Sequence, residues 1–113
     1  MIKVITTDTF NKNVKNLSKK DRLLYKDLEY LFELLQENPK AGIHLGNNAY
    51  KIRIKNSSNN KGKRGGYRVI SYLYTNEIIG LLTMYSKSKQ ENIFEDEIND
   101  LIVELAKNFD EGL

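Results

Sequence analysis

Residues 50–55 read YKIRIK, an alternation of apolar and basic side chains that is typical of a β-strand with two different faces. The apolar residues that share one face of this strand are Tyr50, Ile52 and Ile54. The basic residues that share the opposite face are Lys51, Arg53 and Lys55. If the apolar face packs against helices, the other face of the sheet presents a row of cations. The alternative is that these basic residues only solvate the sheet or protect its edge from pairing.

Two more strands and a helix are predicted downstream of this segment. Residues 67–74 and 78–85 have strand patterns, and the second is apolar enough to be central in a sheet. The polar residues 56–66 form the first connection, and Asn76-Glu77 forms a tight turn. A closing helix over residues 95–108 is predicted from one apolar face, formed by Ile98, Leu101, Ile102 and Leu105.

Upstream, a short strand and a helical hairpin are predicted. Residues 2–6 alternate as a strand does, and Phe10, Val14 and Leu17 follow at helical spacing. A second helix contains Leu24, Leu28, Leu31 and Leu35. Residues 18–21 resemble a capping box with Asp21 in the place of Glu, and Asn38-Pro39 ends this helix. Residues 42–48 are expected to form a loop.

The order of these elements predicts an α+β fold. A short N-terminal strand and a helical hairpin pack on an antiparallel sheet, and a C-terminal helix completes the fold. The length of 113 residues favours one domain over residues 1–113. The chain contains no cysteine and no apolar run approaching the ~20 residues of a membrane span. The apolar stretch at its N-terminus is too short for a secretion signal, so we expect a cytoplasmic protein with no membrane contact.

Charge is distributed unevenly along the chain. Residues 38–76 contain no Asp or Glu, whereas residues 90–113 are mainly acidic. The basic residues of the first stretch are Lys40, Lys51, Arg53, Lys55, Lys61, Lys63, Arg64 and Arg68. This local positive field indicates a polyanionic partner, and an ordinary solvated surface is the alternative.

Few residues suggest metal or cofactor chemistry. His44 is the only histidine and is interpreted as a surface loop residue. The chain shows no metal-ligand spacing, no phosphate-binding glycine loop and no nucleophile elbow. We therefore predict neither a metal nor a cofactor.

Three short motifs resemble the RelE/HigB/ParE toxin superfamily, and residues 63–72 and 81–93 resemble its HigB-like members in particular. The motifs are YKIRI at residues 50–54, GYRVI at 66–70 and YSKS at 85–88. The resemblance extends over nearly the whole chain, including the order of its elements. It implies a type II toxin that a cognate antitoxin protein neutralises in a hetero-oligomeric complex. The RelE branch enters the ribosome and cuts mRNA, which makes this chain an expected mRNA interferase that inhibits translation.

The resemblance also implies a set of site residues. Basic residues of the RelE site match Lys51, Arg53, Arg68 and Lys87. Two further positions depart from the RelE pattern, because Ser88 stands where RelE has an arginine and Phe94 where it has a tyrosine.

RNA can be cut without a metal when its own 2′-hydroxyl attacks the adjacent phosphate. On this hypothesis Lys51 is the general base, Arg53 and Arg68 hold the phosphate, and Lys87 is the acid or a further cation. The residues expected to hold the flanking RNA are Lys55, Lys61, Lys63, Arg64 and Lys89. Tyr67 or Tyr85 is expected to stack on a base, with a packing role equally open for Tyr67.

Two other functions remain alternatives at the level of sequence. One is a ParE-like inhibitor of DNA gyrase, and the other is a non-catalytic module that binds RNA or the ribosome. All three functions accommodate a basic face, but only the nuclease produces cleaved mRNA with defined ends.

Overall fold

The computed structural model describes residues 1–59, 65–90 and 92–111. Within these ranges an α+β architecture is present, as the sequence predicts. The elements are β1 (Lys3–Thr6), α1 (Asp8–Ser18), α2 (Leu24–Glu37), β2 (Ile43–Gly46), β3 (Ala49–Ile54), β4 (Tyr67–Thr75), β5 (Ile78–Ser86) and α3 (Glu95–Glu111). None of the described helices is both long enough and apolar enough to cross a membrane.

The strands form a five-stranded sheet in the order β1-β5-β4-β3-β2. Neighbouring strands are antiparallel except for β1, which pairs with β5 in parallel. The three predicted antiparallel strands are confirmed as β3, β4 and β5, and the predicted N-terminal strand joins them in parallel at one edge. The chain passes through α1, α2 and three strands before β5, and this long connection permits the parallel pairing.

The strand β2 corrects the prediction of a loop over residues 42–48. Its residues pair with β3, although all four side chains are exposed. Ile43 and Leu45 alternate with His44 and Gly46, but glycine and asparagine residues flank this four-residue pattern and favour a loop in the sequence. The loop chemistry lies at its ends, where Gly42, Gly46, Asn47 and Asn48 have positive φ angles.

The helical hairpin covers one face of the sheet. Ile52 and Ile54 of β3 join Val69, Ile79 and Leu81 in a buried apolar cluster. The helices contribute Phe10, Leu24, Leu28, Leu31 and Leu35 to the same cluster. The predicted inward face of β3 and the predicted core role of the leucine stripe are thus both confirmed.

The helix α3 packs on the opposite face of the sheet. Its residues Ile98, Leu101 and Leu105 form a second buried cluster with Ile70 and Leu82. Gly80 of β5 permits this packing, since a Cβ atom there would meet the Leu105 side chain. The third helix therefore occupies part of the face on which the basic residues of β3 lie.

The N-cap residue of α1 and one side chain within α1 form hydrogen bonds to the backbone of β5 beyond the point where β1 ends. The Thr7 hydroxyl caps α1 by accepting from the Phe10 N–H, and it donates to the Leu82 carbonyl at 2.7 Å. The Asn13 Oδ1 accepts from the Met84 N–H at 2.9 Å. These bonds satisfy backbone groups that a longer first strand would otherwise have paired.

The predicted capping box at residues 18–21 is wrong. The second helix begins at Leu24, and its N-cap residue makes no side-chain capping bond. Asp21 is instead buried and accepts a 2.5 Å hydrogen bond from the Tyr67 hydroxyl. Burial raises the pKa of Tyr67 far above its ordinary value, and the hydrogen bond to Asp21 raises it further.

A second buried acid lies one turn into α2. The Asp27 carboxylate accepts bonds from the backbone N–H and the hydroxyl of Ser57, just after β3. The Ser58 hydroxyl accepts from the Leu23 N–H at 3.0 Å. Together with the Asp21–Tyr67 bond, these contacts attach the start of α2 to the ends of β3 and β4 that meet at the 56–66 connection.

We expect Tyr67→Phe to lower the free energy of unfolding by about 1–3 kcal/mol at neutral pH, because it leaves a buried carboxylate without its donor. The deficit should shrink above about pH 10, the ordinary pKa of tyrosine. Above this pH the unfolded chain releases the Tyr67 proton while the folded chain retains it, so the contribution of wild-type Tyr67 is lost as pH rises.

Urea unfolding of both proteins across this pH range measures the difference. Tyr25→Phe is the matched control, since Tyr25 is exposed on α2. Equal stability of Tyr67→Phe and Tyr25→Phe at pH 7 would contradict the role given to the buried hydroxyl.

Candidate functional site

The candidate site is a row of three residues that crosses the sheet. Arg53 on β3 is the register partner of Arg68 on β4, and Arg68 is in turn the partner of Tyr85 on β5. Directly opposite residues of an antiparallel pair have Cβ atoms about 5 Å apart, and like charges in such positions destabilise the sheet. A pair of arginines at this position is well suited to bind an anion between the strands.

Lys51 extends this cationic surface along β3. It lies two residues before Arg53 and therefore on the same face of the strand. Its side chain is only 8% exposed, and its Nζ atom donates to the Asn92 Oδ1 at 3.3 Å. Asn92 belongs to the segment between β5 and α3, so a distant part of the chain contacts this lysine.

Arg68 is buried more deeply than Lys51. Its side chain is 2% exposed, and its Nη1 atom donates to the Tyr67 carbonyl at 3.3 Å. The row of cations expected on this face is therefore not fully exposed, because Lys51 and Arg68 are both buried. The reason is that α3 and the segment before it cover this face, whereas Arg53 remains exposed.

Lys87 lies one residue beyond the end of β5. Its backbone N–H donates to the Gly66 carbonyl at 3.0 Å, which continues the pairing of β4 and β5 by one step. Its side chain is half-buried. The next residue, Ser88, bonds to Ser86 through both its backbone N–H and its hydroxyl. Ser88 thus stabilises a turn where RelE has a cation.

The two tyrosines proposed to stack on RNA are both buried. Tyr67 is fully buried on the helical side of the sheet and bonds to Asp21, so the packing alternative is the one that its position supports. Tyr85 is on the cationic face but is buried in the α3 cluster. Among the described Phe and Tyr residues, Phe94 is the most exposed, at 79%.

Two of the five residues expected to hold the flanking RNA lie in the described part of the chain. Lys55 and Lys89 are exposed at the ends of β3 and β5. Lys61, Lys63 and Arg64 lie outside the described residues. One contact that the sequence did not indicate is Asn92, because a polar residue in a connecting segment carries no periodic signal.

The remaining candidate, His44, is exposed on β2 rather than in a loop. Its ring lies 4.9 Å from that of Tyr50, measured between centroids. In the described part of the chain no group of three or more His, Cys, Asp or Glu side chains is placed to hold a metal ion.

Comparison with known proteins identifies the family of this chain. A family model described as the RelE toxin of the RelE/RelB toxin–antitoxin system matches residues 2–111. The chain therefore belongs to the RelE toxin family, the toxin component of a toxin–antitoxin system, and this membership implies an antitoxin partner.

A solved structure supports the fold. The chain is similar to a double arginine-to-alanine mutant of the E. coli toxin RelE in its free state, with a TM-score of 0.57 and 16% identity. The match covers 95% of this chain and 96% of that chain. No curated protein matches the sequence.

We expect Arg53→Ala to reduce toxicity about a hundredfold, because removal of one preorganised charge-stabilising donor has an effect of this order. Arg53 is the better test of the site than Arg68 because it is exposed, so its truncation leaves no cavity. The measurement is colony survival after induced expression at equal protein levels. Arg22→Ala, which truncates an exposed arginine between α1 and α2, is the matched control. Full toxicity of Arg53→Ala would remove Arg53 from the site.

Proposed function

We propose that this protein is a ribosome-dependent endoribonuclease that cuts mRNA and thereby inhibits translation. The observation that carries the proposal is the pairing of Arg53 with Arg68 across the sheet. Lys51 lies two residues before Arg53 on the same face of β3. Two guanidinium groups on opposite residues of neighbouring strands would offer a phosphodiester several charged hydrogen-bond donors.

The proposed reaction begins with attack of an RNA 2′-oxygen on the adjacent phosphorus. Lys51 removes the 2′-hydroxyl proton, and the bond from phosphorus to the 5′-oxygen breaks to leave a cyclic phosphate. Lys87 donates a proton to the departing 5′-oxygen or stabilises its charge. Both steps use side chains of this chain and require no metal.

The arginines have different tasks in this mechanism. Arg53 is exposed and meets the phosphate first, whereas Arg68 lies behind it and is held by the sheet and the Tyr67 carbonyl. Guanidinium groups suit this role because they bind two phosphate oxygens at once. Their charge is worth most on the phosphorane-like transition state, where negative charge accumulates on the phosphate oxygens.

The proposed dependence on the ribosome follows from the lack of a strong acid–base pair among the proposed catalytic residues. None of the four proposed catalytic residues is a histidine or a carboxylic acid, so much of the rate must come from positioning of the RNA. The ribosome holds mRNA in a defined path and would supply that positioning. Such a toxin acts in the cytoplasm, where translation takes place.

The antitoxin has two ways to neutralise this activity. It can cover Arg53 and the neighbouring cations, or it can enlarge the complex until the ribosomal site excludes it. In either case the cationic face offers an acidic segment of the partner a complementary surface.

We expect purified toxin to leave naked mRNA largely intact and to cut the same mRNA during translation in vitro, at defined positions. Primer extension on the messenger measures the cleaved ends. Arg53→Ala should remove these ends, and Arg22→Ala should retain them.

Equal cleavage with and without ribosomes would contradict the dependence on the ribosome. An intact messenger during translation would contradict the nuclease, and inhibition of DNA supercoiling by gyrase in parallel would then identify a ParE-like function.

A further inference from the structure

The contact between Lys51 and Asn92 links the proposed base to a part of the chain that the sequence did not assign to the site. Asn92 follows β5 by six residues and precedes α3 by three. Its Oδ1 atom accepts the hydrogen bond of the Lys51 Nζ atom at 3.3 Å. Lys51 is largely buried at this point, whereas Asn92 is exposed.

The position of Asn92 is set by contacts that do not involve Lys51. The next residue, Ile93, packs against the α3 cluster. The Gln90 side-chain amide donates to the Asn92 carbonyl at 3.1 Å. The Phe94 carbonyl accepts from the Ile98 N–H at 3.1 Å, which starts α3. Asn92 is therefore an acceptor held in place before Lys51 reaches it.

We propose that Asn92 is a positioning residue that orients the Lys51 amine for proton transfer. Lysine has a flexible four-carbon stem and loses rotamer entropy when it is held in one geometry. A preplaced acceptor provides that ordering before RNA binds. This inference rests on the proposed nuclease function, because it assigns Asn92 a task in the same site.

The chemistry of the acceptor suits this task. An asparagine oxygen is neutral, so it accepts an N–H from either the amine or the ammonium form of lysine. It directs one N–H and leaves the other positions on nitrogen, including the lone pair of the amine, for the RNA. A carboxylate at the same place would favour the ammonium form and would compete with the phosphate for it.

The alternative role for Asn92 is to cover Lys51 and so block its contact with RNA. The two roles predict changes of opposite sign on removal of the side chain. A cover predicts faster cleavage by Asn92→Ala, whereas a positioning residue predicts slower cleavage. Positioning is favoured because the Asn92 Oδ1 atom is neutral. Its hydrogen bond to Lys51 does not neutralise the lysine charge that RNA would recognise.

The test is single-turnover cleavage of ribosome-bound mRNA by the full chain. Asn92→Ala should lower the maximal rate about tenfold to a hundredfold, as misplacement of a reacting group does, with an unchanged half-saturating toxin concentration. In a Lys51→Ala background the same substitution should have no further effect, because Asn92 acts through Lys51. Asn16→Ala, an exposed asparagine on α1, is the matched control and should behave as wild type.

A wild-type or higher rate for Asn92→Ala would overturn the proposal, and so would an additive loss in the Lys51→Ala background. A second measurement keeps it testable if the wild type cuts no RNA and the nuclease function fails. NMR relaxation of the Lys51 Cε methylene should report an ordered side chain in wild type and in Asn16→Ala, and a mobile one in Asn92→Ala. Equal mobility in all three would overturn the positioning role by itself.

Discussion

The pairing of β3 with β4 is the interaction on which the rest of the structure depends. Six consecutive residue pairs run from Ala49 opposite Tyr72 to Ile54 opposite Tyr67, without a register shift. Because side chains alternate along a strand, this register sends Ile52 to the helical hairpin and Arg53 to the other face. A slip of one residue would reverse both assignments and bury the cations in the apolar core.

Different helices pack against the two faces of this β3–β4 ladder. The hairpin of α1 and α2 buries its face in an apolar cluster, and two buried acids, Asp21 and Asp27, attach α2 to the strand ends. On the other face α3 approaches closely at Gly80 and leaves Arg53 exposed. The accessible part of the site is therefore the end of β3 that lies beside the 56–66 connection.

The site combines one exposed arginine with two buried basic residues. Arg53 can contact a large anion directly, while Arg68 and Lys51 are held by the sheet, by the Tyr67 carbonyl and by Asn92. The register places Arg53 and Arg68 opposite each other on one face of the ladder, and buried apolar clusters stabilise the sheet on both of its faces.

The sequence by itself determined which residues share a face. The alternation in YKIRIK and the leucine stripe of α2 are local patterns, and both predicted the apolar core and the cationic side of the sheet correctly. Only the tertiary structure decided how much of the cationic side is accessible. The burial of Lys51 and Arg68, the Asp21–Tyr67 bond and the exposed strand β2 all depend on segments distant in sequence. Periodicity reports the direction of a side chain from its own strand or helix, whereas burial depends on which other segment packs against it.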